Sequence, residues 1–481
     1  MTLRRSQLTP PLRAPVHFGP ISNAEYCPRA TPEAERAEAE VLARADGLAR
    51  RLGRSRREVL AGPLGVALSL QVLNLLGGCK GGRGETGYNV DTDAICAGRE
   101  TLNPAPFVFD VQTHHVEAVD GAAWTSDPVW RAFFDYLTRQ NGCSARDYSC
   151  IGQEAFLHEI FVNSQTTVAV LTSPPALQAT SVLSDRLIDS TRQFVNELAA
   201  SQRLLTHSVV LPDQGLAELE RMAETAATLG PAGWKVYTPW TPTGGGWWLD
   251  DAGIGLPFLD QVRALGPRRV CAHKGLPLSG MSSEHASPRD IGPAAALYPD
   301  IDFLVYHSGY ELDFTEGPYD PEGGGVDRLI RSLADAGLGP GANVYAELGA
   351  TWHELMRRPT EAAHVLGKLL LYLGEENILW GTDCVWYGSP QAQIEAFLAF
   401  EIGEDLQAAH GYPALTDERR AKILGLNAAR VYGVDPAAAR CSLAEDGLAA
   451  RREEARDWAL MGPPVYGPRS RRELLAFLRG A

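Results

Sequence analysis

Short apolar runs alternate with longer stretches of helical periodicity in the part of the chain that follows residue 104. The runs are rich in β-branched and aromatic residues, whereas a stretch such as SDRLIDSTRQFVNELAAS repeats its apolar positions at the spacing of an amphipathic helix. This alternation predicts βαβ units around a parallel sheet. The runs that qualify as strands are PFVFDVQ, TTVAVLT, LLTHSVV, GWKVYT, RRVCAH, DFLVYH, NVYAEL and NILWGTD.

Eight such runs with crossover helices predict an α/β protein with a (β/α)8 TIM barrel over residues 105–435. A doubly wound open sheet fits the same alternation, but no glycine-rich phosphate fingerprint follows the first strand. The barrel is therefore favoured. Residues 436–481 are charged and end in SRRELLAFLRGA, which predicts a C-terminal tail with an amphipathic helix that docks on the barrel or on another subunit of a homo-oligomer.

The first hundred residues follow a different pattern. Apolar positions recur at helical spacing from Thr31, which can cap a helix, to Gly53, which can end one. Residues 1–54 are therefore predicted to be an extension that contains an amphipathic helix. Residues 80–104, which are rich in glycine and polar residues, are predicted to form a linker to the barrel.

Residues 55–79 between them have the layout of an export signal. The adjacent Arg56 and Arg57, an uncharged apolar run and a small-residue end resemble a twin-arginine signal, which predicts an exported or periplasmic protein. The closing LGGC resembles a lipobox, in which Cys79 would be lipidated, and residues 59–79 could also anchor the chain in a membrane. More than fifty residues precede the arginines, an unusual position for a signal, so a cytoplasmic protein is the alternative.

Charge and cysteine content narrow the class of partner. The chain of 481 residues has a net charge of −15 and no basic stripe after residue 60, which argues against nucleic acid and favours a small-molecule substrate. Its eight cysteines show no CxxC spacing, which argues against a zinc ribbon. Cys143 and Cys150 bracket a short polar loop and could form a disulfide in an exported protein.

Polar and ionisable residues occur at the predicted strand ends, where a TIM barrel carries its chemistry. Gln112 and His114 end the first strand on one face, whereas His115 starts on the other, because side chains alternate along a strand. One such histidine is more often a hydrogen-bonded core residue than a ligand. The joint placement of several predicts a metal site. The other strand-end candidates are Lys235, His273, His307 and Asp383.

The motifs around these residues resemble those of the amidohydrolase superfamily, in the branch that contains aminocarboxymuconate-semialdehyde decarboxylase, the hydroxybenzoate-type decarboxylases and related lactone hydrolases. The resemblance covers roughly residues 105–435 and rests on FDVQTHH, GWKVYTP, AHKG, YHSGY and ILWGTDCVW. It implies one divalent metal ion, zinc before manganese, bound by His114, His273 and Asp383, with His307 activating the metal-bound water. Gln112 stands where the family usually has histidine or, in its decarboxylases, often glutamate. As a neutral and weaker donor, Gln112 is expected to ligate weakly or to orient His114.

Three hypotheses for function follow. The first is a metal-dependent hydrolase of a lactone, amide or ester, with His307 as general base and Asp383 handling the proton. The alternative is non-oxidative decarboxylation of an aromatic or unsaturated acid at the same metal. The second alternative is an exported, non-catalytic binding protein whose site has lost its metal through Gln112.

Four further residues are candidates for substrate binding. A decarboxylase needs a cation for the substrate carboxylate, and Lys235 and Lys274 could supply it, although a strand-end lysine often reaches solvent instead. Trp240 and Trp247 belong to TPWTPTGGGWWLDD, which could form a mobile aromatic lid over a ring-shaped substrate. A tryptophan cluster packed over the barrel mouth would give the same pattern.

Overall fold

The computed structural model describes residues 13–19, 31–77, 84–91, 94–95, 107–140, 147–278, 280–441, 443, 447–448 and 451. Eight parallel strands pair in chain order, and each coincides with one of the predicted runs apart from Thr113, which extends the first strand by one residue; this confirms the TIM barrel. The barrel strands are β2 (Phe109–Thr113), β3 (Val168–Leu171), β4 (Leu204–Val209), β5 (Gly233–Val236), β6 (Arg269–His273), β7 (Asp302–Tyr306), β8 (Val344–Glu347) and β9 (Ile378–Leu379). Outside the barrel, β1 (Gly87–Tyr88) pairs with β10 (Phe400–Glu401) in an antiparallel ribbon.

The barrel closes where the chain after β9 runs beside β2. The backbone N–H of Val111 donates to the Trp380 carbonyl, and that of Asp383 donates to the Gln112 carbonyl. Thr113 and Cys384 form a parallel bridge one step further. This closure brings the first and the last strand ends together, although they are far apart in sequence.

The barrel strands are apolar on both faces, and the helices that surround the barrel bury the outer face. The N-terminal helices are α1 (Pro32–Leu52), α2 (Arg56–Leu60) and α3 (Pro63–Leu76). The helices of the first half of the barrel are α4 (Pro128–Gln140), α5 (Gln153–Leu157), α6 (Asp185–Ala199), α7 (Leu216–Thr228) and α8 (Gly255–Leu265). Those of the second half are α9 (Ser283–Ala286), α10 (Ile291–Leu297), α11 (Val326–Asp335), α12 (Thr351–Leu355), α13 (Pro359–Tyr372), α14 (Gln391–Ala399), α15 (Glu404–His410), α16 (Asp417–Ala421), α17 (Asn427–Tyr432) and α18 (Pro436–Cys441).

The N-terminal helices form a layer on the barrel. The predicted helix is confirmed as α1, with the Thr31 side chain accepting from the Ala34 N–H and with Gly53 in the left-handed conformation. The apolar run of the predicted signal forms α3, whose residues from Leu64 to Leu70 are all buried. This helix contacts α1 and α14. Within the described residues, no helix is long and apolar enough to cross a membrane.

Part of the predicted linker is ordered by this layer. The Asn74 side chain at the end of α3 donates to the Tyr88 carbonyl and accepts from the Tyr88 N–H, which ties α3 to β1. The linker prediction missed β1 because a two-residue strand leaves no periodic signal.

Cys150 is disulfide-bonded, while Cys79, Cys143 and the SRRELLAFLRGA segment lie outside the described residues. Lipidation, the predicted cysteine pairing and the terminal helix therefore stay predictions.

Candidate functional site

The adjacent residues His114 and His115, at the end of β2, point to opposite faces of the strand. Gln112 and His114 line the main cavity at the C-terminal end of the barrel. His115 points the other way, where its nitrogens bind the Val116 carbonyl and the Thr191 hydroxyl. Burial lowers the pKa of His115 to about 4, so this imidazole is neutral. His115 is therefore a structural residue, and the predicted alternation holds.

His114 is held in one tautomer that offers a lone pair to the cavity. Its Nδ1 donates to the Thr172 carbonyl at 2.9 Å, and its ring stacks on Trp386 with centroids 5.3 Å apart. In the neutral form of this ring, Nε2 carries the lone pair. This Nε2 lies 3.0 Å from Oδ1 of Asp383. Two acceptors so close repel each other unless a proton or a metal ion lies between them.

His273 and His307 repeat this arrangement. Nδ1 of His307 donates to the Gly349 carbonyl at 2.6 Å, and Nε2 of His273 lies 3.3 Å from the Leu276 carbonyl. The remaining nitrogens, Nε2 of His307 and Nδ1 of His273, face each other at 3.2 Å. Burial lowers the pKa of His307 to about 4, and burial followed by the neighbouring His307 lowers that of His273 well below its ordinary value. Both rings are neutral, so two lone pairs meet.

Gln112 lies beside both His114 and Asp383. Its Nε2 donates to Oδ1 of Asp383 at 2.9 Å and lies 3.4 Å from Nε2 of His114. Its Oε1 is buried and has no hydrogen-bond partner among the described residues. An amide oxygen in this position is an unsatisfied acceptor, which a buried site normally avoids.

The chemistry of these donors fits a divalent cation. Three imidazole nitrogens with free lone pairs and a carboxylate form a set typical of zinc and related ions, and backbone carbonyls fix each ring as in metal sites. Among the residues that the structure describes, no group of three His, Cys, Asp or Glu side chains is arranged to hold an ion as it stands. The predicted ligands meet instead as two pairs, His114 with Asp383 and His273 with His307.

The cavity above these residues is mostly aromatic. It measures about 800 Å³ up to its opening to solvent, and no lysine or arginine of the described chain lines it. Its walls are formed by Trp130, Phe133, Tyr136, Leu137, Pro174, Pro175, Tyr237, Leu278, Met281, His353, Trp386 and Tyr387. The site is thus shaped for a flat, apolar molecule that presents a polar group to the histidines and Asp383.

Lys235 does not reach the cavity wall. Its Nζ is fully buried, lies 3.5 Å from the ring centroid of Tyr306 and 4.6 Å from that of Tyr237, and has no hydrogen-bond partner within the described part of the chain. Burial lowers the pKa of Lys235 to about 7. The side chain neither reaches solvent nor lines the cavity, so its predicted contact with substrate does not agree with its position.

Lys274 and the two tryptophans also lie elsewhere. The Nζ of Lys274 is buried in an ion pair with Asp290, 2.7 Å from Oδ1, because the residue after a strand-end histidine points away from the cavity. Trp247 packs in the core against Phe258, and the half-buried Trp240 does not line the cavity. The tryptophan loop packs over the barrel instead of forming a wall of the site.

Sequence reasoning missed most of the aromatic wall. Tyr237 directly follows β5 and could have been found by the rule that selected His273, on whose ring it stacks with centroids 5.1 Å apart. Trp130 and Phe133 come from α4, for which the sequence offered no signal beyond amphipathicity. His353, on α12, was also missed.

Several solved structures are similar to this chain. One is 2,6-dihydroxybenzoate decarboxylase from Rhizobium, at 15% identity and a TM-score of 0.37 over 68% of this chain and 99% of that one. A 5-carboxyvanillate decarboxylase from Novosphingobium aromaticivorans with bound manganese matches at 12% identity and a TM-score of 0.41 over 68% and 97%. An amidohydrolase II matches at 13% identity and a TM-score of 0.42 over 68% and 99%.

The sequence model of the family described as Amidohydrolase matches residues 185–434, which is more than half of the chain. The match runs from the helix before β4 to the closing helix α17 and includes His273, His307 and Asp383. These are the residues that the fold gathers at the C-terminal end of the barrel. The chain belongs to the amidohydrolase family.

Proposed function

We propose that this protein is a metal-dependent enzyme that removes CO₂, without oxidation, from a small aromatic or unsaturated acid. One divalent ion, zinc before manganese, would be held by His114, His273 and Asp383, with the Gln112 amide as a weak fourth donor. The observation that carries the proposal is a set of free lone pairs at one end of an aromatic cavity without lysine or arginine on its wall.

The charge balance of the cavity favours decarboxylation. A carboxylate that enters it leaves water, and no lysine or arginine of the described wall pairs with it, so the proposed metal ion would have to offset its charge. In the reaction a proton bonds to the ring carbon, the C–C bond breaks, and its electron pair remains on that carbon while CO₂ leaves uncharged. The charge of the substrate disappears, and surroundings of low polarity favour that change.

When bound, the ion supplies positive charge that binds and orients the substrate carboxylate. His307 is placed to manage the proton. Because Nδ1 donates to the Gly349 carbonyl, only Nε2 can take up or release a proton toward the cavity. His307 lines the cavity, so this Nε2 is the atom that would pass the proton to the substrate carbon.

Hydrolysis of a small carbonyl compound is the second candidate. The neutral Nε2 of His307 supports it, because a general base needs a free lone pair that faces the substrate. The same low pKa makes His307 a weak base for activating a nucleophile. Decarboxylation therefore ranks first.

Elemental analysis and CO₂ release test the proposal. The purified full chain should contain about one zinc or manganese ion, which His114→Ala loses and His115→Gln, at the adjacent structural histidine, keeps. A panel of benzoic and unsaturated acids should then include one that releases CO₂ one for one with its loss, and His307→Gln should lower kcat at least ~100-fold. Turnover of esters, amides or lactones without CO₂ would establish hydrolysis instead. A folded protein that binds no metal would establish the binding-protein hypothesis.

A further inference from the structure

His353 is a buried histidine in the wall of the main cavity that the proposed chemistry does not use. It is 7% exposed, and neither ring nitrogen has a hydrogen-bond partner among the described residues. Its ring stacks on Tyr387, another wall residue, with centroids 4.0 Å apart and planes at 15°. Two unsatisfied nitrogens in one buried ring are rare in proteins and need an explanation.

The position of His353 is fixed relative to the proton-carrying histidine. The turn between β8 and α12 holds His307 through the Gly349 carbonyl, and the Thr351 hydroxyl donates to the His307 carbonyl. His353 follows two residues later on α12. Its ring is therefore held in place as part of the site.

The back of the His353 ring is closed by the N-terminal segment. His353 and Tyr387 also line a second, smaller cavity together with Pro15 and Val16. Arg357 donates to the Gly19 carbonyl and pairs with Glu354. The ring thus lies between the main cavity and a second cavity lined by this segment.

Burial, with Arg357 as a second cause, lowers the pKa of His353 well below its ordinary value, so the ring is neutral. A neutral imidazole offers one donor and one acceptor. That pair suits a hydroxyl group, which both gives and accepts a hydrogen bond, better than a second carboxylate, which only accepts.

We propose that His353 determines specificity by hydrogen-bonding an uncharged polar substituent, such as a hydroxyl group, on the ring of the bound acid. The inference rests on the proposed function for the class of ligand. It adds a residue and a chemical preference that the metal site does not supply. His353 contacts the substituent and takes no part in bond breaking.

Binding measurements on the full chain with added metal test this assignment. The probes are benzoate, its three monohydroxy isomers, and isophthalate and terephthalate as charged counterparts, with affinity read from calorimetry or from quenching of the cavity tryptophans. At least one monohydroxy isomer should bind about tenfold more tightly than benzoate, the effect of roughly one hydrogen bond. In His353→Phe, which retains the stack on Tyr387, this preference should vanish while benzoate affinity changes less than about twofold.

His364→Phe is the matched control. His364 is a buried histidine on α13 whose Nδ1 is paired with the Tyr412 hydroxyl, away from the cavity. His364→Phe should keep the hydroxyl preference and lower the Tm. His353→Phe should leave the Tm of the unliganded protein unchanged or higher, because it removes only unsatisfied polar atoms. His353→Gln, which keeps a donor and an acceptor, should retain part of the preference.

The outcomes separate the inference from the function on which it rests. A hydroxyl preference that survives in His353→Phe, or its absence from the wild-type protein, overturns the role of His353. Tight binding with the expected preference but no CO₂ release overturns the decarboxylase and leaves the role of His353 standing. Failure of all six probes to bind overturns both.

Discussion

His114 and His115 are neighbours in sequence, yet one offers a lone pair to the cavity and the other is a hydrogen-bonded core residue. Strand alternation made that distinction predictable. The backbone at other site residues was not predictable, because His307 and Asp383 adopt positive φ values of 66° and 60°. Non-glycine residues rarely adopt this conformation, and it concentrates at functional sites.

Lys235 shows what a residue type alone leaves open. A lysine at a strand end was compatible with solvent, with substrate or with metal, and the structure buries its Nζ against Tyr306 and Tyr237 instead. Its ammonium group contacts the faces of two aromatic rings, and no residue spacing in the sequence predicts that contact.

We predict that Lys235→Met stabilises the protein at neutral pH by about 2 kcal/mol, because it removes a buried amine without a hydrogen-bond partner. The pKa of Lys235 is about 7 in the folded protein, below its ordinary value of 10.5. The unfolded chain therefore binds the additional proton between these values, and wild-type stability rises as pH increases through that window. The gain in Lys235→Met should be largest at pH 7 and below and shrink toward pH 10.

Denaturant unfolding of both proteins at about pH 6.5, below the pKa of Lys235 in the folded protein, and at about pH 9.5, near its ordinary value, measures the difference in unfolding free energy. A variant that is less stable at both pH values would mean that the aromatic contacts of the ammonium group outweigh its burial. Unchanged turnover in the variant would confirm that Lys235 does not contact substrate.

The turn after β8 positions His307 and contacts Gln112. Gly349 binds Nδ1 of His307 through its carbonyl, and its N–H donates to Glu347 Oε1 at 2.6 Å. A Cβ at Gly349 would overlap Oε1 of Gln112 and Oε1 of Glu347. The turn thus needs a glycine because side chains from two strands occupy the space beside it.

We predict that Gly349→Ala lowers kcat at least ~10-fold and destabilises the protein by about 1–3 kcal/mol, because Gln112 and the His307 turn must both shift. Gly339→Ala is the matched control, since a Cβ there meets nothing within 4 Å. Thermal unfolding and turnover of the two variants check the prediction. Equal behaviour of the two would show that the turn tolerates a side chain and does not set the geometry of His307.

At the level of the whole molecule, the N-terminal layer is part of the folded domain. Val41, Leu68 and Leu70 belong to the same hydrophobic cluster as barrel residues such as Trp352 and Phe397. Residues 55–79 therefore combine the sequence order of an export signal with the burial of a structural helix. Export stays a prediction, and N-terminal sequencing of the protein isolated from its own cells would show whether the chain is cut near Cys79.

We predict that deletion of residues 1–79 strongly destabilises the barrel. Each fully buried leucine or valine contributes about 1.5–3 kcal/mol, and α3 alone buries several of them against the rest of the protein. The expected loss is on the order of 10 kcal/mol, measured by denaturant unfolding. A stable barrel without residues 1–79 would be compatible with a cleaved signal.

Much of this fold and part of its site could be read from the chain. Local patterns can be predicted from sequence. They include the period of two in the strands, the helical period between them, and the strand-end positions of Gln112, His114, His273, His307 and Asp383. The caps of α1 at Thr31 and Gly53 were predictable for the same reason.

Tertiary packing decided the rest, because it depends on contacts between distant segments. The pairing of His114 with Asp383, the burial of Lys235 and Lys274, the aromatic wall from α4 and the unpaired nitrogens of His353 arise only when the barrel closes. An apolar run at residues 59–76 has the same hydrophobicity whether it serves as an export signal or packs on a barrel as a structural helix. Its burial in the folded chain depends on the helices that cover it, which hydropathy alone does not encode.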